Sequence, residues 1–268
     1  MVGGDGIRMI DSHIHLDFYE QADIDCMMRE LPHCGVDRVV AVSVDLASCL
    51  NVQRLYHRYP EQIVPAYGQH PERTLPPEQE LDELFDFIRH HQEQMAAVGE
   101  VGLPYYSRKE AEQKGERFAL EPYIELLEAF IKLAKELDKP IVLHAVYEDA
   151  DFACDLLEKH SVSRAHFHWF KGSAKTVKRL MDNGYFISFT PDIIYKEEIR
   201  ALAKMVPIEQ TMVETDGPWP FEGPFRGQKT HPQMIRSVIQ ELASLKSLSF
   251  AETDMIVLAN TEKFYAIR

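Results

Sequence analysis

The chain is poor in the features that assign a protein at a glance. Cysteine is scarce, with four in 268 residues. Cys26, Cys34, Cys49 and Cys154 form no CxxC pair and no framework spacing, so a disulfide scaffold is not indicated. Reduced, mostly buried thiols and a cytoplasmic location are the expectation. No apolar run is long enough to span a bilayer. The opening Met1-Val2-Gly3-Gly4-Asp5-Gly6 has neither the basic nor the apolar segment of a signal peptide, and none is expected. Neither GxGxxG nor GxxxxGK[ST] occurs, so nucleotide-cofactor folds lose their usual support. No GxSxG offers an activated serine. Positive charge is also short: Lys+Arg 29 against Asp+Glu 43 leaves a formal charge of −14. Such a surface repels polyanions at long range, so a nucleic-acid substrate would need local cations, of which bound metals are the obvious ones.

What is present is a regular alternation. Short β-branched or apolar runs predict strands over Ile7–His15, Arg38–Val44, Ile63–Gln69, Ala96–Leu103, Pro140–His144, Ala165–Trp169, Tyr185–Thr190 and Thr211–Thr215. Between them lie helical patterns such as Leu81, Leu84, Phe85 and Ile88. The clearest, Pro122 to Leu137, places Ile124, Leu127, Ile131 and Ala134 on one face. Asn183-Gly184 reads as a helix C-terminus. Strand followed by helix, eight times over, points to parallel strands in an α/β fold, a (β/α)8 TIM barrel, rather than an open sheet. No linker divides residues 1–268, so one domain is expected. The Pro-rich stretch from Pro218 to Pro224 reads as a long loop after the last strand.

Polar residues of one chemical kind end these apolar runs. His13 and His15 sit two apart at the end of the first strand, which aims both imidazoles to one side. The HxH triplet is a weak signal alone. Glu100 lies inside an apolar run, where a carboxylate is costly unless paired or metal-bound. His144, His168 and Asp216 end further strands. In a barrel such ends converge on one rim, and only His, Glu or Asp is presented there. Four histidines and two carboxylates suit Zn²⁺, Mn²⁺, Fe²⁺ or Ni²⁺ better than a calcium cage. Two metals roughly 3.5–4 Å apart, sharing a carboxylate, would make hydroxide available near neutral pH.

The chain resembles the TatD-like metal-dependent hydrolases over nearly its full length. The matching segments are Asp11-Ser12-His13-Ile14-His15-Leu16-Asp17, Gly68-Gln69-His70-Pro71, Gly99-Glu100-Val101-Gly102-Leu103, Pro140–His144, His168-Trp169-Phe170-Lys171-Gly172 and Glu214–Pro218. Arg226-Gly227 and Asn260-Thr261…Phe264 fit as well. The resemblance implies two divalent metals (Zn, Mg, Mn or Ni). One would be held by His13, His15, Glu100 and Asp216 and the other by Glu100, His144 and His168, so that Glu100 bridges. It also implies Asp216 as general base and DNA as substrate, since members of the family are commonly described as Mg²⁺-dependent DNases. Pro104 stands where the family usually has Asp, and Ala145-Val146 where it has Ser-Arg. The second change removes a guanidinium suited to phosphate. Lys171 replaces a small residue and is a candidate compensating cation, or else a surface lysine.

His70 and Arg226 are further candidates for substrate contact, and His166, two residues before His168, stays outside the ligand set. Trp169, Trp219, Tyr105 and Tyr106 either line a substrate wall or pack over the rim. The expected function is a metal-dependent hydrolase of phosphodiesters. A hydrolase of a small ester, lactone or amide on the same site is the alternative, and no obligate protein partner is implied. A metal-binding scaffold without activity is disfavoured by the complete ligand set.

Overall fold

The computed structural model describes residues 8–267. Ile7 of the first expected strand and the Met1–Gly6 segment lie outside the described residues. Among those described, eight strands pair in chain order and every pair is parallel. They are β1 (Met9–Ile14), β2 (Val36–Val42), β3 (Ile63–Tyr67), β4 (Ala97–Gly102), β5 (Ile141–His144), β6 (Ala165–Phe167), β7 (Phe186–Phe189) and β8 (Thr211–Val213). The outer layer is α1 (Gln21–Glu30), α2 (Leu46–Arg58), α3 (Glu78–His90), α4 (Tyr105–Lys114), α5 (Glu121–Glu136), α6 (Asp149–Lys159), α7 (Ala174–Asp182), α8 (Glu197–Met205), α9 (Ile235–Lys246) and α10 (Phe250–Tyr265). The fold is a TIM barrel. Its last seam closes just past the strand ends, where Asp216 N donates to His13 O at 2.9 Å and His15 N donates to Gly217 O at 2.8 Å.

Each expected strand is present, most with trimmed ends. Gln69, Leu103, Trp169 and Thr215 fall outside their strands because the backbone there leaves the ladder to build the rim. β2 instead begins two residues early, at Val36, directly after Gly35, whose φ of 76° ends the preceding turn. One helix per strand was too simple: β4 is followed by both α4 and α5. α5 buries Leu127, Phe130, Ile131 and Ala134 against the barrel, and each large apolar side chain there contributes about 2–3 kcal/mol. Cys49 and Cys154 are buried free thiols, but Cys26 is exposed and Cys34 partly so; both lie on the outer face, where burial was not required.

Two register shifts prepare the rim. Ile10, Val40, Val42, Val64, Ala97, Val142 and Met212 form one buried cluster inside the strands. Strict alternation from Ile10 would turn Ser12 inward, and from Ala97 it would turn Gly99 inward. The β1–β2 ladder slips between Asp11 and Ile14, and the β4–β5 ladder slips between Val98 and Val101. Each slip reverses the parity, so that His13 and Glu100 point inward instead. Close approach of β4 to β5 needs Gly102, because a Cβ there would overlap the His144 carbonyl.

Candidate metal centre

The six residues expected as ligands come together at the C-terminal rim. Glu100 stands at the middle, fully buried. Its Oε2 lies 3.1 Å from His13 Nε2 and 3.2 Å from His15 Nε2. Its Oε1 lies 2.7 Å from His168 Nε2 and 3.1 Å from His144 Nδ1. Asp216 Oδ1 completes the first side, 3.4 Å from His13 Nε2 and 3.3 Å from His15 Nε2. The ligand atoms form overlapping compact groups: His13 with His15 and Asp216, and Glu100 with His144 and His168, joined by His15 with His70 and Glu100 and by His13 with His168 and Glu214.

These donors fit divalent metals on the structure's own evidence. His13 Nε2, Glu100 Oε2 and Asp216 Oδ1 are buried, and none has a hydrogen-bond partner among the described residues despite their crowding. Buried polar atoms without partners are costly, and a shared cation is what atoms so arranged can satisfy. Electrostatics agree. Burial alone would raise the carboxyls, yet the surrounding histidines hold Glu100 and Asp216 well below the usual carboxylate range. Burial would likewise depress His15, but Asp216 and Glu100 hold it up at about 10. The cluster demands positive charge.

Around this core lie residues that the sequence reading passed over. Glu214 accepts from Ser188 Oγ at 2.6 Å and from Trp169 N at 2.7 Å, and its Oε1 is 3.5 Å from His168 Nδ1. It faces His168 from behind and helps hold Trp169 at a φ of 37°, a conformation that costs a bulky residue roughly 1–2 kcal/mol. Asp11 accepts from Thr215 N and Thr215 Oγ1, pinning β1 to the segment after β8. Glu72 accepts from the backbone of Tyr106 and Ser107 at 2.8 Å and faces His144 Nε2 at 3.5 Å. Buried acids in apolar strands could have signalled Asp11 and Glu214; only tertiary contact reveals Glu72.

The other expected site residues divide. His70 lines the cavity over the cluster. Its Nδ1 accepts from Glu72 N at 3.1 Å, so the neutral ring carries its proton on Nε2, which faces Glu100 Oε1 at 3.1 Å. His70 is thus a donor to the carboxylate rather than a lone-pair ligand. Lys171 lines the same cavity, whereas Arg226 does not; its guanidinium is mostly exposed and pairs with Glu222 at 2.6 Å. His166 sits below the cluster, bonded to Ser188 Oγ and Tyr265 Oη. Trp169, Trp219 and Tyr106 line the cavity, which measures about 700 Å³.

Comparison with known proteins agrees with this geometry. The family model described as TatD related DNase matches residues 10–266. An uncharacterized metal-dependent hydrolase of Haemophilus influenzae is 39% identical, over 97% of this chain and 100% of its own length. The human deoxyribonuclease TATDN3 is 28% identical, over 97% of this chain and 95% of its own. The crystal structure of YJJV, a TatD homolog from Escherichia coli, superposes with a TM-score of 0.86 at 25% identity, covering 97% of this chain and 98% of that one. A parallel barrel, a rim of histidines around a buried glutamate, and a match along almost the whole length make this chain a member of the TatD family of metal-dependent hydrolases.

Proposed function

We propose that the chain hydrolyses phosphodiester bonds of DNA, and that His13, His15, Glu100, His144, His168 and Asp216 would hold the two divalent metals that supply the hydrolytic chemistry. The observation that carries this reading is the division of donors around the Glu100 carboxylate. His13 and His15 face Oε2 with Asp216 Oδ1 beside both of them, while His144 and His168 face Oε1. When bound, the metals lower the pKa of water and polarise the bond to be broken. Nitrogen-rich sets of this kind suit Zn²⁺, Mn²⁺ or Ni²⁺, and the family's described use of Mg²⁺ keeps that ion among the candidates. Asp216, held ionised beside His13 and His15, accepts the proton of the attacking water. His70 donates to Glu100 and keeps its carboxylate in place. Trp169 and Trp219 form an apolar wall that orients substrate and limits water. Residues 1–268 act as one domain in this reading, since Tyr265 of the last helix reaches His166 inside the barrel.

The name of the human relative, a deoxyribonuclease, supports DNA as substrate. A small ester, lactone or amide is the second reading. It is favoured by a cavity of small-molecule size, mostly apolar and lined by no arginine among the described residues. The test is to quantify bound metal, then assay single-stranded DNA, a chromogenic phosphodiester and a panel of esters and lactones with Mg²⁺, Mn²⁺ and Zn²⁺. Glu100→Gln and Asp216→Asn should each cost at least about 100-fold in kcat. Unchanged turnover in both variants would refute the site, and lactone turnover without DNA cleavage would move the assignment to the second reading.

A further inference from the structure

Next to the cavity over Glu100 lies a second one of about 420 Å³, bounded by α7 and α8, with Val177, Ile199 and Leu202 in its walls. The two cavities share Tyr106, Lys171 and Lys196. Among the described residues, those two lysines are the only lysine or arginine side chains lining either cavity. In a protein of net charge −14, this pair of ammonium groups sits at the junction of two pockets whose lining carboxylates are Glu72, Glu100 and Asp216 on one side and Glu198 on the other.

Their partners leave them donors to spare. Lys171 Nζ lies 4.2 Å from the centre of the Trp169 ring and gives its one hydrogen bond among the described residues to the neutral Tyr106 hydroxyl, at 3.2 Å. Burial depresses its pKa, with the Asp192 carboxylate pulling it back up and Lys196 adding to the depression. Lys196 Nζ lies 5.9 Å from the same ring and pairs with Asp192 at 3.1 Å. Asp192 is already committed, accepting from Trp169 Nε1 at 2.9 Å and from Thr190 Oγ1 at 2.6 Å. Asp192 thus fixes the Trp169 indole as a platform, and both ammoniums gather at its face. An ammonium has three donors, and a half-buried one with a single neutral acceptor is poised for an anion.

We propose that Lys171 and Lys196, over the Trp169 ring, form an anion subsite that selects substrates carrying a second oxyanion beyond the bond being hydrolysed. This rests on the proposed function only in placing that bond at the Glu100 cluster. The second oxyanion is a phosphate if the substrate is a nucleotide, and a carboxylate if it is a small acidic ester. The adjoining cavity accommodates the group that carries it.

The experiment uses the chain's two tryptophans, Trp169 and Trp219, both of which line the main cavity. Intrinsic fluorescence therefore reports binding without turnover. The metal-loaded full chain is titrated with thymidine 5′-monophosphate against thymidine 3′,5′-bisphosphate, and with butyrate against succinate. In at least one pair, the member with the second anionic group should bind about tenfold more tightly or better. Lys171→Met and Lys196→Met should each reduce that preference to within about twofold, with metal content unchanged, and Lys171→Arg should retain it. Which pair shows the preference tells phosphate from carboxylate. Equal affinities within both pairs, or a preference that survives either methionine variant, overturns the subsite. Failure of the hydrolase reading appears separately, as turnover that persists in Glu100→Gln.

Discussion

At the scale of single residues, the site is a set of carboxylates holding histidines in place. The outer carboxylates matter because an imidazole is a precise ligand only when its other nitrogen is restrained. Glu214 stands behind His168 and also fixes the Trp169 backbone. Glu214→Gln should lower metal affinity about 10–100-fold with little change in the folded structure; titration of the metal-free protein reads it directly, and unaltered affinity would remove Glu214 from this role. Much of the site was legible at this scale, since His13, His15, Glu100, His144, His168 and Asp216 each interrupt or end an apolar run. Glu72, Glu214 and Lys196 were not, because their significance lies in partners remote in the chain: His144, His168 and the Trp169 platform. Arg226 shows the converse, a motif residue whose charge is paired with Glu222 outside the cavity.

At the scale of elements, helices and strands followed sequence periodicity, and the register shifts did not. Nothing in the alternation of β1 or β4 announces the slips that turn His13 and Glu100 inward, for they come from ladder pairing with β2 and β5. α10 shows local and tertiary control side by side. Its start is a capping box, in which Ser249 Oγ accepts from Glu252 N and the Glu252 carboxylate accepts from Ser249 N. Ser249→Ala should cost about 1 kcal/mol in chemical denaturation. Five residues on, burial pushes the Asp254 carboxyl up to about 6, against a pull downward from Arg236. A carboxyl whose pKa is higher in the folded than in the unfolded chain favours folding as pH falls from about 6 towards 4, and withdraws that support above 6. Asp254→Asn should therefore gain about 1 kcal/mol over the parent at pH 8, allowing for partial solvent screening, and lose the advantage near pH 4. Equal stability gaps at both values would exclude this account.

At the scale of the molecule, metals and net charge act on the whole fold. The proposed ligands come from the ends of β1, β4, β5, β6 and β8, so metal binding ties distant parts of the barrel together. Metal at 1,000 times its Kd should stabilise the fold by about 4 kcal/mol, or about 10 °C in melting temperature. A melting curve indifferent to chelator would speak against metals at this rim. The charge of −14 predicts a shallow salt dependence for DNA. With Lys171 and Lys196 the only lysine or arginine side chains in the two cavities among the described residues, and together holding one phosphate, log affinity against log salt should fall with a slope of about −0.7. A slope of −4 or steeper would require a basic surface elsewhere.

The barrel's closing seam runs through Asp216, His13, His15 and Gly217, which gives the enzyme a timetable. About 200 residues separate His13 from Asp216, or roughly 10–40 s of synthesis at 5–20 residues per second. Until the last strand docks, the first histidines have no Asp216 beside them, and the proposed proton acceptor is missing. In the proposed mechanism, a chain that stops before that point lacks its proton acceptor and should show no hydrolysis. In that mechanism hydrolytic power arrives late and all at once, with the finished ring.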